Sequence, residues 1–231
     1  MSYMKSFFGR RQWVLFYLVS LGWLFFACQK SYVNVSESPG GPLNIKKILV
    51  LPFKDLSDLA GEHPDARSPA SGRIFITGEV ADYADDFLTD LLVSWLQSNT
   101  PNELRISNYS RSAAPLLDAS SGYVALNRKN LISFGHAEAV DAVLLGFVFR
   151  FRERVGKGFS AQSPASVAFD IDMIRVADGR TVWSGSFDET QQSLGENLFQ
   201  LGNFIARGGR WVTAKDMATS GLNNILKKFP K

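Results

Sequence analysis

Residues 167–187 read Val-Ala-Phe-Asp-Ile-Asp-Met-Ile-Arg-Val-Ala-Asp-Gly-Arg-Thr-Val-Trp-Ser-Gly-Ser-Phe, and this stretch decides the fold. Over its first seven residues apolar and polar side chains alternate, so that one face carries Val167, Phe169, Ile171 and Met173 and the other carries Asp170 and Asp172. A period of two is typical of a β-strand with one apolar face. Asp178-Gly179 favours a two-residue turn, because both of its central positions need positive φ. We therefore predict a hairpin whose second strand is Thr181–Phe187.

The preceding segment predicts a third strand. Residues 141–154 read Asp-Ala-Val-Leu-Leu-Gly-Phe-Val-Phe-Arg-Phe-Arg-Glu-Arg, an apolar run that continues as strict alternation. This alternation puts three phenylalanines (Phe147, Phe149 and Phe151) on one face and Arg150 and Arg152 on the other. Opposite charges on neighbouring strands contribute about 0.2–1 kcal/mol per pair. Pairs between these arginines and the aspartates Asp170 and Asp172 would therefore favour an antiparallel meander over residues 142–187.

The segments on either side of the meander predict further strands and helices that pack on the sheet. Ile48–Leu51 is a short apolar run ended by Pro52, as in a strand buried on both faces. Further apolar patterns predict a short strand at 104–108 and helices at 79–97, 128–140 and 194–206, with a last helix capped by Thr213. Residues 54–77 read as a long loop. The fold class that we expect is an α/β (α+β) sandwich, a mixed sheet with an antiparallel meander and helices packed on it.

The first 28 residues predict export. Lys5, Arg10 and Arg11 precede fifteen uncharged residues, 13–27, that end at Ala27-Cys28. The run is shorter than the roughly 20 residues that cross a bilayer and matches a signal-peptide core of about 7–15. An apolar leader that ends in a small residue and the only cysteine resembles a bacterial lipoprotein signal, in which Cys28 receives lipid and becomes the N-terminus.

The processing site departs from the usual pattern, because Phe25 and Phe26 stand where Leu and a small residue are expected. The alternative is an uncleaved anchor in which Cys28 is an incidental thiol. Gln29, rather than Asp, follows the cysteine, which implies the periplasmic face of the outer membrane of a Gram-negative cell. The expected organisation is a signal peptide at 1–27, a lipidated tether at 28–44 and a periplasmic domain at 45–231. An ordered extension packed on the domain is the alternative for the tether.

Composition excludes several function classes. The chain has 231 residues and a net charge of +3, and this excess comes from the three bases of the leader. The rest is neutral on balance, which gives no reason to expect nucleic-acid binding. A single cysteine excludes an internal disulfide and a cysteine-based zinc site. No nucleophile elbow, phosphate loop or dinucleotide turn occurs, so we expect neither an enzyme nor a cofactor or resident metal.

Two segments carry a family resemblance. Ile48-Leu-Val-Leu-Pro-Phe53 is similar to the opening strand of the curli-secretion channel lipoprotein, of the polysaccharide-secretion lipoprotein PelC, and of the lipoproteins that activate penicillin-binding proteins. Ala137–Gly146 resembles the junction between helix and strand in that group. The likeness covers about half of the exported chain. It implies a non-catalytic periplasmic α/β scaffold that forms rings or docks on another envelope protein.

Three functions stay open at this point. The first is an accessory of envelope secretion or assembly that acts as a homo-oligomer, and the second is a monomeric regulator that binds a periplasmic cell-wall enzyme. The third is a small-ligand binder that uses the loop after Phe53. Exposed Trp and Arg often dominate interfaces. The candidate contacts are therefore Trp183, Arg210, Trp211, Arg150 and Arg152, with the core as the alternative for both tryptophans and a solvated strand face for the arginines.

Overall fold

The computed structural model describes residues 32–37, 44–57, 65–107, 115–118, 124–156, 163–191 and 212–230. The strands are β1 (Tyr32–Glu37), β2 (Lys47–Val50), β3 (Lys54–Asp55), β4 (Asp65–Arg67), β5 (Ile74–Ile76), β6 (Glu103–Ile106), β7 (Leu117–Asp118), β8 (Ala125–Leu126), β9 (Ala142–Arg152), β10 (Ser166–Arg175) and β11 (Thr181–Thr190). The helices are α1 (Ala84–Asn99), α2 (Arg128–Ala137) and α3 (Ala214–Leu226).

One mixed sheet organises these elements. Its strand order is β1-β11-β10-β9-β2-β6, and β3 pairs with β9 as well. Strands β9, β10 and β11 form the antiparallel meander, and β1 adds to β11 antiparallel. Strand β2 runs parallel to both of its neighbours, β6 and β9. The mixed sheet with an antiparallel meander and packed helices confirms the predicted fold class.

The two faces of the sheet carry different layers. On one face α1 and α3 pack against the sheet and share a single apolar cluster with it. On the other face α2 and two short hairpins, β4–β5 and β7–β8, contribute to a second apolar cluster. None of the helices in the described part of the chain is long and apolar enough to cross a membrane.

A β-bulge in β9 corrects the predicted alternation. Ala168 of β10 pairs with Arg150, and the next residue, Phe169, pairs with Val148, so that Phe149 is an extra residue. A bulge of this kind re-aims the side chains that follow it. Phe147 and Phe149 accordingly join the α2 side, while Phe151 joins the α1 and α3 side. The prediction that these three phenylalanines share a face is wrong for Phe151.

The predicted charge pairing across the meander is also wrong. Asp170 lies opposite Phe147 on β9 and opposite Ser186 on β11. Asp172 lies opposite Leu145 and Ser184. The register therefore places neither aspartate beside the arginines of β9.

Other elements begin or end at different residues than the sequence predicts. Helix α1 begins at Ala84 rather than 79, because residues 78–81 first bond to β9: Gly78 N donates to Phe149 O (3.1 Å) and Ala81 N to Phe151 O (3.0 Å). The predicted loop at 54–77 contains the β4–β5 hairpin. Residues 32–37, which the sequence places in the tether, form β1, as in the alternative of an ordered extension. The helix predicted at 194–206 lies outside the described residues.

Candidate functional site: a polar layer beneath the β4–β5 hairpin

Four polar side chains lie side by side on the α2 face of β10 and β11. Asp170 is paired in register with Ser186, and Asp172 with Ser184. Both aspartates are 0% exposed, and both serines are buried. Successive side chains of a strand point to opposite faces, so the apolar residues between these four face α1 and α3 instead. The result is a buried polar patch in the middle of the sheet.

The β4–β5 hairpin covers this patch. Its turn needs a left-handed residue, which Gly72 supplies with a φ of 74°. Ser71 Oγ donates to Asp170 Oδ2 at 2.8 Å, and Arg73 Nη1 donates to Ser186 Oγ at 2.7 Å. Phe75 stacks on Phe149 with ring centroids 4.2 Å apart. The hairpin is thus fastened by polar contacts at its turn and by one aromatic contact along β5.

Arg150 fastens the far end of the hairpin. Its Nη1 donates to Ile76 O (2.6 Å), its Nε to Ser166 Oγ (2.5 Å) and its Nη2 to Asp188 Oδ1 (2.6 Å). The residue is 7% exposed, and the bulge at Phe149 aims it toward β5. This arginine therefore ties β5 to β9, β10 and β11.

The aspartate pair is poorly satisfied. Among the described residues, Asp170 Oδ1, both carboxyl oxygens of Asp172 and Ser184 Oγ have no hydrogen-bond partner. Burial raises the pKa of Asp170 from 3.8 to about 6, against the opposing effects of the Ser68 and Ser71 hydroxyls and of Arg73. The pKa of Asp172 lies well above 3.8, because of burial first and the charge of Asp170 second. Desolvation favours the neutral form of an acid.

A small cavity adjoins the pair. Its volume is about 260 Å³, and its lining consists of Ser36, Ala70, Ser71, Arg73, Thr181, Trp183 and Ser184. Most of the lining residues bear a hydroxyl, and Ser184 is one of them. No group of three or more His, Cys, Asp or Glu side chains in the described part of the chain is arranged to hold a metal ion.

The outer surface of the hairpin carries two exposed isoleucines beside two charged residues. Ile74 is 61% exposed and Ile76 is 64% exposed, on either side of the buried Phe75. On β4 their cross-strand partners are Arg67 and Asp65, which are also exposed. Exposed large apolar side chains that form a patch within a charged rim are typical of an interaction site.

The predicted contact residues fall in different places. Trp183 is 0% exposed; its Nε1 donates to Lys228 O at 3.0 Å and its ring packs edge-on against Phe229. The side chain of Trp183 is thus packed in the core, and the residue also lines the cavity beside the polar layer. Arg150 is buried within the polar layer, and Arg152 is half-buried with its Nε 3.4 Å from Pro164 O. Cys28, Arg210 and Trp211 lie outside the described residues.

The sequence did not identify the polar layer itself. The alternation predicts Asp170 and Asp172 only as partners for arginines, and Arg73 lies within the predicted loop at 54–77. The available signal was the spacing Asp-x-Asp inside a strand whose other residues are apolar. Two acids at that spacing share one face, and in a sheet that is covered on both faces they have to be buried.

Comparisons with known proteins support the predicted resemblance. No protein-family model matches the chain, and no curated protein matches it in sequence. In structure the chain is similar to the PelC dodecamer from Paraburkholderia phytofirmans, with a TM-score of 0.51 and 14% identity over 87% of this chain and 99% of that chain. At 14% identity the likeness shows the fold alone.

Two further solved structures have lower TM-scores. Lipoprotein GNA1162 from Neisseria meningitidis has a TM-score of 0.37 and 14% identity, over 70% of this chain and 99% of that one. The LpoB C-terminal domain from Salmonella enterica has a TM-score of 0.32 and 15% identity, over 67% of this chain and 88% of that one. PelC belongs to the group that the sequence resembles, and the fold of the chain is the fold that PelC has.

Proposed function

We propose that the protein is a lipid-anchored scaffold of the bacterial outer membrane that acts without catalysis, as a homo-oligomer, in envelope secretion or assembly. The observation that carries the proposal is the agreement in fold with PelC, which spans 99% of that chain and whose solved form is a dodecamer. The leader and Cys28 add an independent argument from the sequence for an envelope location.

Cys28 is the proposed site of attachment to the membrane. Acyl chains contribute about 0.8 kcal/mol per buried CH₂, so two or more chains anchor a protein stably. Growth with radiolabelled fatty acid should label the wild-type protein and leave the Cys28→Ser variant unlabelled. Equal labelling of both would exclude Cys28 as the anchor.

The outer surface of the β4–β5 hairpin is the proposed contact between copies. Ile74 and Ile76 present apolar surface, and Asp65 and Arg67 beside them supply both signs of charge for a neighbouring copy. Arg150 and Phe149 hold the hairpin against the sheet, so a partner would meet a preformed surface. A preformed contact avoids part of the ordering cost of association.

Sedimentation of the exported part, residues 29–231, tests this assembly. We expect one species of discrete mass well above a monomer for the wild type, and a monomer for the variant Ile74→Asp/Ile76→Asp. Ile106→Asp is the matched control, because Ile106 is also exposed (53%) but lies on β6, away from the hairpin. A wild type that stays monomeric at all concentrations would contradict the oligomer. An unchanged oligomer in the double variant would exclude the hairpin as the contact.

A monomeric regulator or small-ligand binder is the alternative, and the polar cavity of about 260 Å³ is the observation in its favour. A thermal-shift screen of small polar molecules on the exported part tests it. Stabilisation that disappears in Ser184→Val, together with a monomeric wild type, would support this alternative over the scaffold.

A further inference from the structure

Among the residues that the structure describes, none forms an ion pair with either aspartate of the pair, Asp170 or Asp172. Ionised carboxylates are almost never fully buried unless they are paired. Two such carboxylates on one strand face, both 0% exposed, therefore cannot both be charged at low cost.

The two carboxyl groups differ in their surroundings. Asp170 accepts a hydrogen bond from Ser71 Oγ, and this bond favours its ionised form. Neither oxygen of Asp172 accepts a well-formed hydrogen bond from a described residue; the neighbouring Ser184 hydroxyl lowers the pKa of Asp172, but less than burial raises it. Burial and the charge of Asp170 both raise the pKa of Asp172. A single proton on the pair is therefore best placed on Asp172.

The two arginines around the aspartate pair donate their hydrogen bonds to other groups. Arg73 of the hairpin donates to Ser186, and Arg128 of α2 donates to Gly179 O (2.7 Å), Ala70 O (3.1 Å) and Thr181 Oγ1 (3.1 Å). Both lower the pKa of Asp172 by their charge, less than burial raises it.

The other elements around the pair bring no charge that would compensate a second carboxylate. Strand β9 presents Leu145 and Phe147 across from the aspartates, and β11 presents the hydroxyls of Ser184 and Ser186. Arg150 and Asp188 are paired with each other. A second negative charge would therefore need water, and the adjoining cavity borders the hairpin at Ala70, Ser71 and Arg73.

We propose that Asp170 and Asp172 form a proton-binding site that latches the β4–β5 hairpin: one bound proton keeps the hairpin closed, and its release opens the hairpin to water. Because the closed state holds its proton more tightly than a solvated carboxyl does, closure is favoured at low pH and weakens as pH rises through the titration of the pair. The latch operates within one chain and does not depend on the proposed oligomer.

Hydrogen exchange followed by mass spectrometry on residues 29–231 tests the latch. The reporter amides are Ser68 N, Gly72 N and Gly78 N, which bond to Arg73 O, Ser68 O and Phe149 O. After correction for intrinsic rates, we expect hairpin opening to rise by up to about tenfold per pH unit between the titration of a solvated carboxyl, near pH 4, and the titration of the pair in the closed hairpin, and to level off above it. The amides of α3 should not change.

Two variants separate the latch from a general effect of pH. Asn is neutral at every pH, so Asp172→Asn should make hairpin exchange independent of pH above about 6, where Asp170 has already titrated. Asp178→Asn is the matched control, because Asp178 lies in the exposed turn after β10, paired with Arg175, and should behave as the wild type. Exchange is also measured in proteins that carry Ile74→Asp/Ile76→Asp in addition. Because this double variant is expected to be monomeric, a pH effect that persists there does not come from oligomer assembly.

Three results would overturn the latch. The first is hairpin exchange that is flat with pH in the wild type, or equally dependent on pH in Asp172→Asn. The second needs no variant: ¹³C NMR of the Asp172 carboxyl should show no ionisation near pH 4, and a normal titration there would refute it. The third is closure at high pH by millimolar CaCl₂ or MgCl₂ in the wild type alone, which would make the pair a cation site rather than a proton site.

Discussion

The two faces of the meander are built from the same strands and differ in what holds their covering layers. Toward α1 and α3, strands β9 to β11 present mostly apolar residues, and the two helices share one apolar cluster with them. Toward α2 and the β4–β5 hairpin, the same strands present Asp170, Asp172, Ser184 and Ser186 within an otherwise apolar surface. The cover of the first face is therefore held by packing, whereas the β4–β5 hairpin on the second face is held by particular hydrogen bonds in addition to its apolar cluster.

This difference has a consequence for dynamics. Packing is non-directional and spread over many residues. A helix such as α3 is therefore expected to detach only when the whole apolar cluster unfolds. The hairpin depends on a few polar groups, among them Ser71, Arg73 and Arg150, and is expected to open locally at lower cost. Substitutions on the two faces, and a change of pH, test this contrast through the free energy of unfolding.

A cavity on the face toward α1 and α3 should produce the largest loss of stability. Phe169 lies between Phe53 (ring centroids 6.0 Å apart) and Phe187 (5.5 Å). Phe169→Ala should lower the free energy of unfolding by about 3–5 kcal/mol, because it leaves a void in a closed cluster. Urea denaturation measures the loss, and Phe169→Leu, which retains more volume, should lose less. A loss below that of Phe169→Leu would contradict the packing account.

The pH dependence of stability distinguishes the polar face. The pKa of Asp170 is raised from 3.8 to about 6 in the folded state, so the unfolded chain binds fewer protons between these values. The free energy of unfolding should therefore fall as pH rises from about 4 through about 6, by a quantity on the order of 3 kcal/mol for this group. Asp172 acts in the same direction at higher pH. Denaturation at pH 4 and 8 measures most of the fall; Asp170→Asn should reduce it, and a rise would contradict the account.

Loss of the arginine at the bulge should have a smaller effect. Arg150→Met removes the donors to Ile76 O, Ser166 and Asp188 while retaining apolar bulk. Hydrogen bonds that involve a charged group contribute about 1.5–3 kcal/mol, and Asp188 regains water because its side chain is 37% exposed. The control Arg152→Met, on a half-buried neighbour, should stay within about 0.5 kcal/mol of the wild type. Equal losses in the two variants would show that Arg150 has no special role.

Removal of the N-terminal cap of α3, on the same face, should change the stability least. Thr213 accepts from Asp216 N at 3.1 Å, and Asp216 Oδ2 accepts from Thr213 N at 3.2 Å, a reciprocal capping box at the start of α3. Thr213→Ala should cost about 1 kcal/mol, and Thr213→Ser should cost less because it keeps the hydroxyl. Thermal unfolding measures both. An effect of Thr213→Ala as large as that of Phe169→Ala would mean that packing does not dominate this face.

Much of the sheet was predictable, because long strands with a period of two leave a strong pattern. The three meander strands are where the sequence places them. The predicted two-residue turn is wrong, because five residues, 176–180, join β10 to β11 and only Gly179 of the Asp178-Gly179 pair has a positive φ (67°). The bulge at Phe149 was not predictable from alternation, since one inserted residue reverses the facing of Phe151 without any change in composition. Strands β4 and β5 have three residues each, too few for a periodic signal.

The candidate site was less predictable than the fold. Its members come from a hairpin turn, from α2 and from three strands, so that only the folded register brings Arg73, Asp170 and Ser186 together. The sequence pairs Asp170 and Asp172 with the arginines of β9, whereas the register gives them hydroxyl neighbours. Local pattern thus determined the strands, and tertiary pairing determined the site.

The central claim is that the chain is a lipid-anchored oligomer of the envelope. Native mass spectrometry of the full protein, expressed in a Gram-negative host and extracted from its membrane fraction in mild detergent, tests it most directly. The account predicts a complex of several identical chains, each beginning at Cys28 and carrying acyl mass on that residue. A single chain that still begins at Met1 and carries no lipid would contradict it.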